Sequence, residues 1–162
     1  MEELCLLYAL RRADLVGIAD QLQDALNEDY TKNADTFIGN YARIIQRYKE
    51  IQPEAVFFLV TIPGYGDDES EKHAPLKKAH QEILHKLAEI FDNTYVIDLY
   101  QYAPPFDKEV KEKFFYFGHM APAGYLLFAK MVTSYIDYII RHNIEKFKTV
   151  GMMGYDYDRN KV

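Results

Sequence analysis

A chain of 162 residues with 49% hydrophobic and 15% aromatic content is the size of one compact domain built around one core. Its 19 basic and 25 acidic residues leave a formal net charge of −6, which repels nucleic acid and anionic lipid surfaces and argues against a phosphate ligand. The single cysteine, Cys5, excludes an intrachain disulfide and a cysteine-based metal cage, and neither a cofactor nor a metal centre is expected.

The plainest apolar run, Ala55 to Pro63, is strand-sized, well short of the roughly 20 residues a membrane helix needs. The opening Met1-Glu2-Glu3-Leu4 is acidic where a secretory leader would be basic, and the stretch Leu4 to Leu10 runs into Arg11-Arg12 without a small-residue cleavage site. The default expectation is therefore a cytoplasmic chain.

Leu4 to Leu10 is short and continuously apolar, which reads as a strand covered on both faces, although a buried helical turn has the same pattern. A long connection follows, with a short helix over Ala19 to Leu26 and a polar loop from Asn27 to Asn33. Phe37, Tyr41, Ile44, Ile45 and Tyr48 then recur at helical spacing, with Asp35 or Thr36 placed to cap the start and Pro53 beyond the end. Ala55 to Pro63, rich in β-branched and aromatic residues and closed by Pro63-Gly64-Tyr65-Gly66, reads as a buried strand. Beyond the acidic loop Asp67 to Glu71, the residues Leu76, Ile83, Leu84, Leu87, Ile90 and Phe91 mark a second helix, and Asn93 suits the left-handed position after it. A strand over Thr94 to Tyr100, a loop from Gln101 to Gly118 and a helix over Pro122 to His142 complete the reading, the last with Leu126, Leu127, Met131, Tyr135 and Ile139 on one face. The tail from Lys148 to Val162 has a composition that favours fraying.

Strands alternating with helices predict the α/β class, with a parallel sheet of about three strands flanked by helices. Open parallel sheets bind ligands beyond the carboxyl ends of their strands, which directs attention to Arg11 to Asp14, Pro63 to Ser70 and Asp98 to His119. His80 and His85 fall inside the second helix, and His73 and His142 near helix ends, where exposure or capping accounts for them. His119 is different. It sits in a short loop directly before a helix that starts with Pro122, where a fixed backbone suits a general base, although a capping or packing role also fits.

The block Gly118-His119-Met120-Ala121-Pro122-Ala123-Gly124-Tyr125, with the amphipathic helix after it, resembles the closing block of the SGNH (GDSL-type) serine ester hydrolases. The segments Tyr41 to Pro63 and Tyr95 to Tyr100 look like the middle and late segments of the same family, so the resemblance runs in order from about Asp35 to Lys148. It implies a flavodoxin-like parallel sheet and cleavage of an acyl or acetyl ester, carbohydrate esters among them. In the family a serine from an N-terminal Gly-Asp-Ser block attacks, its backbone N–H, a glycine and an asparagine form the oxyanion hole, and a late histidine is the base. His119 matches that histidine.

The other parts depart from the pattern. No Gly-Asp-Ser occurs, and the only serines are Ser70 and Ser134. The places of the oxyanion glycine and asparagine hold Arg11 and Ala13, and loss of even one such donor typically costs about 2.7–4 kcal/mol. The aspartate that stands three residues before the family's histidine is Tyr116 here, leaving Asp98 or Asp107 as substitutes for orienting the imidazole. These departures lead to the expectation of a truncated hydrolase domain that carries the histidine but no nucleophile, and so is inactive alone. In the family's strand order, Leu4 to Leu10 would then be an open edge, which predicts homo-oligomers or pairing with a separate N-terminal half. The competing expectation is a pseudoenzyme that serves as a binding or assembly module.

Overall fold

A computed structural model describes residues 29–147 except 34, 65–68, 105 and 118, with residues 69–73 described by their backbone alone. The segments expected as a strand at Leu4 to Leu10, a helix at Ala19 to Leu26 and a frayed tail from Lys148 lie outside the described residues. The chain forms two compact units, Met1–Lys113 and Phe114–Val162.

The first unit begins with a 3-10 turn, Tyr30–Lys32, capped by the Asp29 carboxylate, which accepts from the Thr31 N–H at 3.2 Å. Helix α1, Phe37–Ile51, is capped by Thr36, whose hydroxyl accepts from the Gly39 N–H at 3.1 Å, while Asp35 accepts from the Asn40 side chain instead. The buried face of α1 is Ile38, Gly39, Ala42 and Ile45, with Phe37 and Tyr41 partly buried against the core. Ile44 and Tyr48, expected inside, are more than half exposed.

Strand β1, Phe57–Val60, and strand β2, Thr94–Ile97, pair in parallel, with Phe57 opposite Thr94 and Val60 opposite Ile97. Between them runs helix α2, Glu69–Ile90, so the expected parallel β-α-β unit is present and the chain is mixed α/β. Both strands are shorter than their apolar runs. Ala55 donates to Gln52 O before β1 begins, and after Ile97 the side chain of Asp98 accepts from the Gln101 N–H and turns Leu99–Tyr102 into the short helix α3. Helix α2 begins at Glu69, inside the stretch expected as the acidic loop Asp67 to Glu71, and carries Pro75 inside it. Asn93 takes the left-handed conformation expected of it, with φ 54°. The stretch read as a loop from Gln101 to Gly118 contains α3, helix α4 (Lys108–Phe114) and strand β3 (Phe115–Tyr116).

Ile38, Ala42 and Ile45 of α1, Leu59 of β1, and Ile83, Leu84 and Leu87 of α2 form the core of this unit. Two polar residues of α2 are buried beside that stripe. The Lys77 ammonium donates to Pro63 O at 3.2 Å. His80, expected at the surface, is 1% exposed, lies edge-on to the Phe37 ring at 5.3 Å, and neither of its ring nitrogens has a hydrogen-bond partner. Burial therefore drives its pKa down to about 4 and keeps the imidazole neutral.

The second unit opens with the hairpin of β3 and β4 (His119–Met120), in which Phe115 faces Met120 and Tyr116 faces His119. Helix α5, Pro122–His142, has the expected bounds, but only Gly124 and Ile139 are buried on it, and Leu126 is 73% exposed. The Ala121 N–H donates to Phe114 O at 2.7 Å, and a Cβ on Gly124 would lie 2.4 Å from that same carbonyl oxygen. The hairpin and the first turn of α5 are thus pressed together where only a hydrogen fits.

Two outcomes follow. Gly124→Ala must shift backbone and should lower stability by about 1–3 kcal/mol in urea denaturation. His80 has a folded pKa below its unfolded value near 6.5, so its contribution is complete above pH 6.5 and drains away as the pH falls toward 4. His80→Leu should flatten that part of the stability–pH curve, removing a loss of up to about 3 kcal/mol, and should raise stability at neutral pH.

Candidate functional site

The carboxyl ends of β1 and β2 are occupied by two residues that follow the strands directly, Thr61 and Asp98. Both are 1% exposed. Thr61 extends the ladder, its N–H donating to Ile97 O at 3.0 Å, and its hydroxyl accepts from the Tyr100 N–H at 2.8 Å and donates to Asp98 Oδ1 at 3.2 Å. Asp98 Oδ1 also accepts from the Gln101 N–H at 3.1 Å. Its other oxygen accepts from Gln81 Nε2 at 2.6 Å and meets His85 Nε2 at 2.9 Å. A carboxylate has about four lone-pair sites, and these four donors occupy them.

Burial pushes the Asp98 carboxyl up, but hydrogen bonds from His85, Gln81, the Gln101 N–H and Thr61 outweigh it and hold the group below the usual carboxylate range. Asp98 is therefore an anion at neutral pH, and His85 must present Nε2–H to it. Gln81 and His85 are four residues apart on α2, which places both on one helical face. The His85 side chain is 48% exposed and that of Asp98 2%.

His119 lies in the second unit, on β4 directly before α5, and is exposed. Its imidazole makes no hydrogen bond or ion pair with any described residue. Tyr116, where the family pattern has aspartate, is its cross-strand neighbour in the hairpin and is 71% exposed. Phe117, next in the turn, stands at φ 50° and is 86% exposed. The Asp107 carboxylate accepts from the Val110 N–H at 2.9 Å at the start of α4. His142 caps the end of α5, with Nδ1 2.8 Å from Tyr138 O and its ring against that of Tyr138.

The serines stand on helices, Ser70 in the first turn of α2 and Ser134 in the middle of α5. Among the described residues, no group of three or more His, Cys, Asp or Glu side chains is gathered as a metal site, and no helix is long and apolar enough to cross a membrane.

The sequence offers Asp98 as a carboxylate to orient His119, whereas the side chains that engage it in the structure are those of Thr61, Gln81 and His85. His85 was set aside as a surface helix residue, although its spacing from Gln81 was visible; only the fold shows that this pair faces the end of β2. Compared with protein-family models, with curated proteins and with solved structures, the chain finds no match in any of the three.

Asp98→Ala strips the acceptor from two side chains, a hydroxyl and a backbone N–H, and should cost about 2–4 kcal/mol in urea denaturation at pH 7. Asp98's contribution is present above its unfolded pKa of about 3.9 and is lost as pH falls through the lower folded value, so the variant should lose the most acid limb of the stability curve.

Proposed function

We propose that the chain is the histidine-bearing part of an SGNH-type ester hydrolase with a flavodoxin-like sheet, acting on an acyl or acetyl ester, with His119 as general base and the attacking serine contributed from outside these residues. The observation that carries this reading is the His119 block, set directly before a helix that starts with proline and supported by the parallel strand pair before it. Its chemistry would be acyl transfer: His119 takes the proton of a serine hydroxyl as that oxygen attacks the ester carbonyl, then returns it to the leaving alcohol. The association that goes with this reading, between copies of the chain or with a separate N-terminal half, rests on the apolar sequence of Leu4 to Leu10 alone.

A second reading, a binding or assembly module without catalysis, is favoured by the positions of Ser70 and Ser134. Neither stands on a sharp turn from strand to helix, the place a nucleophilic serine needs.

Complementation separates the two. The chain is mixed with an N-terminal half carrying Gly-Asp-Ser from a hydrolase of this class, co-elution of the halves is checked, and hydrolysis of 4-nitrophenyl acetate is followed. Turnover that appears on mixing and drops about 10²–10⁴-fold in His119→Ala supports the hydrolase. Co-eluting halves without turnover support the binding module.

A further inference from the structure

The carboxyl ends of β1 and β2 hold an imidazole with the one thing that His119 lacks among the described residues, a buried anion to orient it. We propose that His85, positioned by Asp98, is a general base at this end of the sheet that activates water for attack on an ester carbonyl. The ester as substrate rests on the hydrolase reading above; the base rests on the geometry of the dyad alone.

Asp98 is a negative charge with nine-tenths or more of its surface removed from water, and three donors besides His85 hold it still: Gln81 from α2, the Thr61 hydroxyl from the end of β1 and the Gln101 N–H of α3. The carboxylate can only accept, so His85 keeps its proton on Nε2 and leaves Nδ1 as the basic nitrogen. Nδ1 engages none of the described residues, and half of the side chain is open to water. A strut between helix and sheet needs no such opening, and Gln81 already makes the equivalent bond from the preceding turn at 2.6 Å. The position is also where open parallel sheets hold their ligands.

The step closes without a serine. Water oxygen bonds to the carbonyl carbon while its proton passes to His85 Nδ1, and Asp98 stabilises the imidazolium that forms. The tetrahedral oxyanion then expels the alkoxide by breaking its C–O bond, and Nδ1 returns the proton to that alkoxide. Ester and water become acid and alcohol, and the imidazole is neutral again. General-base assistance of this kind typically contributes about 10²–10⁴-fold.

The test uses the purified chain with 4-nitrophenyl acetate. His85→Gln retains an N–H donor for Asp98 and so keeps the packing, but has no basic nitrogen. The expected result is turnover above the protein-free rate without an initial burst, at least about tenfold lower in His85→Gln and recovered in His85→Gly by added imidazole. Nitrogen-15 spectra should show His85 in the Nε2–H tautomer at neutral pH, while the loss and imidazole rescue of turnover separate a base from a mere strut. His85→Gln as active as the parent chain, turnover no faster than the protein-free rate, or an Nδ1–H tautomer overturns the proposal. Turnover lost in His119→Ala but kept in His85→Gln overturns it while leaving the hydrolase reading intact. Turnover that depends on His85 in the chain alone, with no His119 dependence after complementation, upholds it and removes that reading.

Discussion

A carboxylate withdrawn from water must find a donor for every lone pair or lose the solvation it gave up, and Asp98 meets that demand with four donors from three separate stretches of chain. Thr61 comes from the end of β1, Gln101 from α3, and Gln81 and His85 from α2. Each donor is brought to the same point, so the carboxylate fixes where β1 stops, where β2 turns into α3, and how α2 is rotated about its axis. The same four bonds hold the group ionised in spite of burial. Structure and electrostatics are one constraint here, and the orientation of His85 follows from it.

Helix α2 serves two surroundings at once. Ile83, Leu84 and Leu87 enter the apolar core with Leu59 and the inner face of α1, while Gln81 and His85 reach the polar end of the sheet. These sets interleave along the sequence because 3.6 residues per turn separate neighbours by about 100°. The helix tolerates two further polar residues inside. Lys77 reaches the Pro63 carbonyl, and His80 remains neutral among apolar neighbours, so a buried imidazole is held uncharged while the half-exposed imidazole of His85, further along the helix, is tied to an anion.

The two candidate bases differ in kind. His119 owes its standing to the block it sits in, since the hairpin and the first turn of α5 lock its backbone through the Ala121 to Phe114 hydrogen bond and the tight approach at Gly124. His85 owes its standing to a partner. The first would assist a serine supplied from elsewhere, the second a water molecule, and each belongs to a different compact unit.

Much of the secondary structure was legible in the residues. The bounds of α5, the Thr36 cap, the left-handed Asn93 and the parallel pairing of two apolar strands around a helix are local matters of capping, turn chemistry and periodicity, which a short window of sequence contains. What a window does not contain is the neighbour. Which face of α1 is buried depends on the core that Ile38, Ala42 and Ile45 share with Leu59 and α2, and His80 lies inside with the Phe37 ring against it. Asp98 could be named from its place after a strand, but its pairing with His85 depends on how α2 docks across the end of β2. Sequence alone determined the elements and the chemistry they carry, because both are properties of adjacent residues; the tertiary structure decided which of those residues meet, because burial and hydrogen-bond satisfaction are settled between segments far apart in the chain.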